Sequence, residues 1–123
     1  MTAAARSTFV RAQDLDALTI ANGQSLSAPI ECGGLTLCGI ATPAALTGNI
    51  MTFQASLDAG ATWKDIYDAA GNEYQVVVGT NRFIPLDPAA FMNNAQIKLR
   101  MGTAGAPIAQ AQDSIFQLSY CGV

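Results

Sequence analysis

The chain has 123 residues, of which 50% are hydrophobic and 12% are charged, and its formal net charge at pH 7 is −3. A chain of this length forms one domain that can fold without a metal or a disulfide framework. Because the charges are scattered and no apolar run reaches about 20 residues, neither nucleic acid binding nor a membrane span is expected. The sequence has no histidine, which excludes Ser-His-Asp, Cys-His and histidine-containing zinc sites.

Residues 1–13 are small and polar, and we expect them to form an arm in front of a domain that spans residues 14–123. The arm carries one apolar pair, Phe9 and Val10, flanked by Arg6 and Arg11. Such an arm is ordered only where something holds it. It has no apolar stretch long enough for a signal peptide, so we expect the protein to be made in the cytoplasm.

Short apolar segments separated by Gly, Asn, Asp and Pro clusters fill the rest of the chain, a pattern typical of an all-β sandwich or barrel. Asp87 as N-cap and Pro88 at the first helical position predict one brief helical turn near 87–92. We therefore predict a single antiparallel β-sandwich of eight to nine strands. Their expected ranges are 15–20, 25–31, 35–41, 50–57, 63–68, 73–78, 82–86, 95–101 and 114–121.

Strand alternation predicts which side chains face the core. One face of segment 50–57 holds its apolar residues, Met51, Phe53, Ala55 and Leu57. Segment 95–101 directs its apolar residues inward and its polar ones outward, namely Gln96, Lys98 and Arg100. The last segment places Phe116, Leu118 and Tyr120 on one face, so Cys121 points to the other.

The sequence has three cysteines, Cys32, Cys38 and Cys121. Because three is an odd number, at least one of them cannot form a disulfide within a monomer. Three reduced thiols are the cytoplasmic default and the favoured interpretation. Cys32 and Cys38 could instead face each other across a hairpin. The outward direction of Cys121 makes it the candidate for a disulfide between subunits, formed after the protein leaves the cell. A zinc site built from three cysteines is disfavoured.

Acidic residues gather around a predicted hairpin, where Asp65 and Asp68 flank Tyr67 and Glu73 lies across. A carboxylate pair can support glycoside hydrolysis, and a carboxylate cluster can bind calcium. Aspartates at strand ends more often cap turns by bonding their own backbone, and we favour that interpretation. The sequence therefore predicts no enzyme and no cofactor.

Three aromatic residues on neighbouring predicted strands, Trp63, Tyr67 and Tyr74, offer a possible ligand face. If exposed, Trp63 and Tyr67 would stack on sugar rings. The favoured interpretation packs both in the core with their polar atoms at its edge.

Four segments resemble a group of short virion proteins of tailed bacteriophages, with the likeness covering about five-sixths of the chain. They are LTIANGQSLSAPIECGGLTLCGI (18–40), TFQASLDAGATWKDIYDAAGNEY (52–74), RFIPLDPAAF (82–91) and AQIKLRMGTAGAPIAQAQDSIFQLSY (95–120). Ala59 and Met101 depart from the family's usual Gly and Ser, and the cysteines are not part of its pattern. The predicted sandwich is also similar to the jelly rolls of galactose-binding domains, a likeness of fold that implies no sugar site.

The resemblance implies a non-enzymatic virion component that decorates or cements the outside of a capsid. Its partners would be the major capsid protein and other copies of the chain, with a trimer favoured. Arg6, Phe9, Val10 and Arg11 would supply arm contacts. The alternative is a carbohydrate-binding or adhesion module of the tail, neck or baseplate that uses Trp63 and Tyr67.

Overall fold

Nine strands in two antiparallel sheets make up the fold of the computed structural model, which describes residues 17–32, 34–91 and 96–121. The predicted all-β sandwich is confirmed. The strands are β1 (Ala17–Ile20), β2 (Ile30–Glu31), β3 (Thr36–Ala41), β4 (Ile50–Ser56), β5 (Lys64–Asp65), β6 (Val76–Val77), β7 (Phe83–Pro85), β8 (Gln96–Met101) and β9 (Ser114–Cys121).

The strand order is that of a jelly roll. One sheet has the order β1-β9-β3-β7, and the other has the order β2-β8-β4-β5 with β6 also paired to β4. β4 pairs with β8 along one edge, and on its other edge Ile50 and Met51 face β6 while Gln54 and Ala55 face β5. With β5 and β6 counted as two parts of one broken strand, the chain makes eight strands, and it changes sheet at every connection except the one from β4 to β5, as in a jelly roll.

The core lies between the two sheets and is formed by their inner faces. The first sheet contributes Leu18, Ile20, Leu37, Ile40, Phe116 and Leu118, and the second contributes Met51, Phe53, Ile97, Leu99 and Met101. The inward directions predicted for segments 95–101 and 114–121 are therefore confirmed, with Tyr120 packed against the core as a half-buried residue. Each fully buried side chain of this kind stabilises the fold by roughly 1.5–3 kcal/mol.

Alternation along β4 is correct only as far as the strand extends. Leu57 is 74% exposed because β4 ends at Ser56 and a turn follows. On the opposite face Thr52 and Ser56 are buried, although they are polar. The Thr52 hydroxyl donates to the carbonyl of Gly102 and accepts from Arg100, so its burial leaves no hydrogen bond unmade.

Three predicted strands, 25–31, 63–68 and 73–78, are reduced to two residues each because a regular ladder holds over only part of each segment. Within 25–31, Ser27 exchanges bonds with Leu99 through both its backbone N–H and its hydroxyl, and Pro29 has no N–H for a ladder. Within 73–78, Tyr74 donates its N–H to Ile66 and Val78 donates to Asn49. Segment 25–31 therefore stays beside β8 without a regular ladder, whereas the bonds of segment 73–78 are divided between two neighbouring segments.

The predicted helical turn is confirmed as a 3-10 turn at Pro88–Ala90, with the Asp87 carboxylate accepting the N–H of Ala89 at 3.1 Å. It delivers Phe91 into the core, where its ring meets Phe53 edge-on at a centroid distance of 4.9 Å. Within the described residues, no helix has the length and hydrophobicity to cross a membrane.

Candidate functional site

The outer face of the first sheet has no charged side chain. None of the residues of β1, β3, β7 and β9 is acidic or basic. The residues on the outer side of these strands form a surface that we call the uncharged face: Ala17, Thr19, Thr36, Cys38, Gly39, Ala41, Phe83, Pro85, Ile115, Gln117, Ser119 and Cys121. Uniform lack of charge is unusual for a solvated sheet face, where polar and charged residues normally alternate with the core positions.

Two large apolar side chains are exposed on the uncharged face. Phe83 is 61% exposed and Ile115 is 52% exposed. Phe83 lies on the edge strand β7, and its ring covers Gly39 of the neighbouring β3. Sequence reasoning missed both residues. The signal was present, since segments 36–41, 83–85 and 114–121 contain no charge.

A disulfide joins Cys38 and Cys121 on this same face, with the Cα atoms 5.8 Å apart. The register between β3 and β9 shifts between Leu37 and Gly39, so Cys38 is the extra residue of a bulge. The bulge brings its side chain beside Cys121, which pairs with Thr36.

Three expectations about the cysteines are corrected by this bond. The favoured interpretation of three reduced thiols is wrong, as is the pairing of Cys32 with Cys38, because Cys32 is buried in the core cluster. Cys121 does point outward, but its sulfur is bonded within the chain. It is therefore not available for a bond between subunits while Cys38 holds it.

The outer face of the second sheet, in contrast, carries charged side chains that form ion pairs. Arg100 lies 2.9 Å from Asp65 and 2.7 Å from Glu73 through the same Nη2 atom, and its Nε donates to Thr52. Alternation correctly predicts that Arg100 lies on this outer face. Its side chain is nevertheless only 8% exposed, so it is not in solvent. The carboxylates come from β5 and from the chain before β6, and they cover the guanidinium.

The acidic residues at the predicted hairpins act in turns and ion pairs. Oδ1 of Asp68 accepts the N–H groups of Ala70 and Asn72 at 2.9 and 3.0 Å, which agrees with the favoured turn-capping interpretation. Glu73 accepts the N–H of Ala104 in addition to pairing with Arg100. No group of three or more His, Cys, Asp or Glu residues suited to a metal ion occurs within the described ranges.

Asp58 organises the turn between β4 and β5. Hydrogen bonds from the hydroxyl and then the N–H of Thr62, followed by one from Ser56, lower the pKa of Asp58 to about 2. Ser56 in turn accepts the N–H of Gly60 at 2.8 Å. Gly60 adopts a φ of +92°, a conformation that favours glycine.

Trp63 and Tyr67 do not pack in the core as expected. Trp63 is half-buried, donates its indole N–H to Gly60 at 3.1 Å, and has the Lys98 ammonium 4.4 Å from its ring centroid. Tyr67 is 58% exposed and lies beyond the end of β5. Trp63 therefore contributes to the polar outer face of the second sheet, while Tyr67 is presented to solvent.

The predicted arm contacts Arg6, Phe9, Val10 and Arg11 lie outside the described residues.

Comparisons with protein-family models, curated proteins and solved structures found no match to this chain.

Proposed function

We propose that this protein is a non-enzymatic structural component of a phage particle, which decorates or cements the outside of the capsid through its uncharged face. The observation that carries the proposal is the lack of any charge on four neighbouring strands with Phe83 and Ile115 exposed among them. Depletion of charged residues is the compositional mark of the centre of a protein interface.

The size of the uncharged face suits a contact that is repeated many times. The four strands have 4, 6, 3 and 8 residues, and at a spacing of about 4.8 Å and a rise of about 3.3 Å per residue they present roughly 330 Å². A stable interface between two proteins buries about 800 Å² on each partner. One copy of the face is therefore a weak contact, and symmetric copies on a shell would add many weak contacts into strong attachment. The proposed partners are the major capsid protein and other copies of this chain.

The Cys38–Cys121 bond supports a location outside the cell. Disulfides persist in oxidising surroundings and are rare in the cytosol, so a protein made in the bacterial cytoplasm would keep this bond on a released particle. The jelly-roll order of the strands is also found among viral capsid proteins. That support is an analogy of fold, which many unrelated functions share.

The first test is the copy number of the protein in purified particles. The chain is quantified against the major capsid protein on gels run with and without reductant. The proposal requires hundreds of copies, a number suited to a shell. A few copies per particle would favour the tail or baseplate module, and absence from the particle would overturn both proposals.

The second test changes the face itself. Ile115→Lys places a charge at an exposed position of β9 and should lower occupancy on capsids at least tenfold. Val77→Lys is the matched control, since Val77 is 71% exposed on β6 of the other sheet and should leave occupancy unchanged. Equal occupancy for both variants and the unchanged protein would overturn the use of the uncharged face.

The alternative of a carbohydrate-binding or adhesion module has less support. It needs Trp63 and Tyr67 to present one stacking surface. The indole N–H of Trp63 is bonded to Gly60, and Lys98 lies over its ring, so Tyr67 is left as the exposed aromatic of the pair.

A further inference from the structure

A groove of about 220 Å³ opens beside Tyr67, and none of its lining residues belongs to the four strands of the uncharged face. It lies between the β5–β6 connection and the 3-10 turn that follows β7. Its lining contains two tyrosines, Tyr67 and Tyr74, two carboxylates, Asp68 and Asp87, and three alanines. We propose that this groove binds the guanidinium of an arginine side chain presented by a partner protein.

The charge of the groove selects the class of ligand. Its described lining residues include two carboxylates and no lysine or arginine. An anionic group would be repelled by them, whereas a cation would be attracted by both. A planar guanidinium matches carboxylates through its fork of N–H donors and also stacks on aromatic faces. Tyr67, which is 58% exposed, provides such a face.

The walls of the groove are held in place by ring packing and hydrogen bonds. Tyr74 packs against Phe53 and Phe91 at centroid distances of 5.8 Å, and its hydroxyl accepts the N–H of Asp87 at 3.1 Å. Asp68 and Asp87 each use Oδ1 to accept backbone N–H groups. Side chains fixed in this way bind with less loss of conformational entropy.

The size of the groove limits what enters it. Sites for drug-sized molecules measure about 300–1,000 Å³, so the groove is suited to a single side chain. The inference goes beyond the proposed function because it concerns a second surface and does not require the partner to be a capsid. Its test uses small molecules and no particle, so each proposal can fail without the other.

The experiment titrates the full chain with N-acetyl-arginine amide and follows backbone amide signals by NMR. The matched ligand is N-acetyl-citrulline amide, which has the same shape without the charge. Signals of Tyr67, Asp87 and Ala89 should shift with the arginine compound and remain in place with citrulline. Raising the ionic strength should weaken the shifts, since the groove is open to solvent.

Variants assign the effect to the groove. Tyr67→Ala and Asp87→Asn should each weaken binding at least fivefold, and Asn retains the ability to cap the 3-10 turn. Asp113→Asn is the matched control, because it removes the same charge at a residue whose carboxylate accepts the N–H of Asn22, away from the groove. It should bind as the unchanged chain does.

The arms of the experiment separate the competing ligands. Equal shifts with citrulline, or no shift with arginine, would overturn the proposal. Equal binding of N-acetyl-lysine amide would overturn the assignment to a guanidinium. Shifts with methyl glycosides in place of arginine would show a sugar site instead.

Discussion

The ring of Phe83 rests on Gly39 of the adjacent strand, so closely that a Cβ on Gly39 would lie 2.9 Å from the ring atom Cε1. A glycine inside a strand contributes no side chain to cross-strand packing. Here a neighbouring aromatic ring fills the space, and the same contact fixes where Phe83 is presented on the uncharged face.

Gly39→Ala should displace this ring and lower the free energy of unfolding by about 1 kcal/mol, at the lower end of overpacking effects because the ring is exposed and can move. Urea unfolding measures the change. Gly105→Ala is the control, since a Cβ there meets nothing within 4 Å. Equal effects of the two variants would contradict the contact.

Removing the disulfide should cost about 2–4 kcal/mol, because the bond links residues 83 positions apart and constrains a long loop of the unfolded chain. The double variant Cys38→Ser/Cys121→Ser should therefore melt at a lower temperature than the unchanged protein. Reductant should lower the melting temperature of the unchanged protein toward that of the variant and leave the variant unaffected. A reductant effect of the same size on both proteins would argue against the bond.

Arg100→Met should destabilise the fold by roughly 3–5 kcal/mol, since Asp65 and Glu73 would then face each other without their shared cation. Denaturant unfolding measures the loss. Lys64→Met is the matched control, because it removes the same charge at an exposed position of β5. A loss below about 1 kcal/mol for Arg100→Met would mean that solvent replaces the ion pairs.

Asp58 should make the stability of the fold depend on pH in the acidic range. Its pKa is lowered from 3.8 to about 2 in the folded protein, so its contribution is fully present above pH 4 to 5 and is lost as the pH falls through 2. Melting curves of the unchanged protein and Asp58→Asn should differ most at pH 6 and converge toward pH 2. A difference that stays constant over this range would contradict the assignment.

The sequence patterns predicted strands well where one face of a strand is buried and the other is open. Ile97, Leu99 and Met101 show this, since their alternation with polar residues matches their burial. Arg100 differs, because its position on the outer face does not leave it exposed. Alternation tells which side of the sheet a residue occupies, but not whether distant segments cover it, as Asp65 and Glu73 do here.

Contacts between segments far apart in sequence explain the remaining differences. Cys38 and Cys121 meet because β9 lies beside β3 and a bulge turns Cys38 toward it, and neither fact is encoded in the spacing of the cysteines. Tyr67 was expected in the core, but β5 ends at Asp65, before the alternation reaches it. The groove likewise joins two turns whose closeness depends on the whole jelly roll.

The position of β9 in the first sheet also determines the order in which the fold can be assembled. β9 is the last of the nine strands and lies between β1 and β3. During synthesis these two strands are therefore made before the strand that pairs with both. Until β9 arrives, β1 and β3 have unpaired edges that can join other chains. Such long-range pairing is slow, and aggregation of nascent or refolding chains would begin at these two strands.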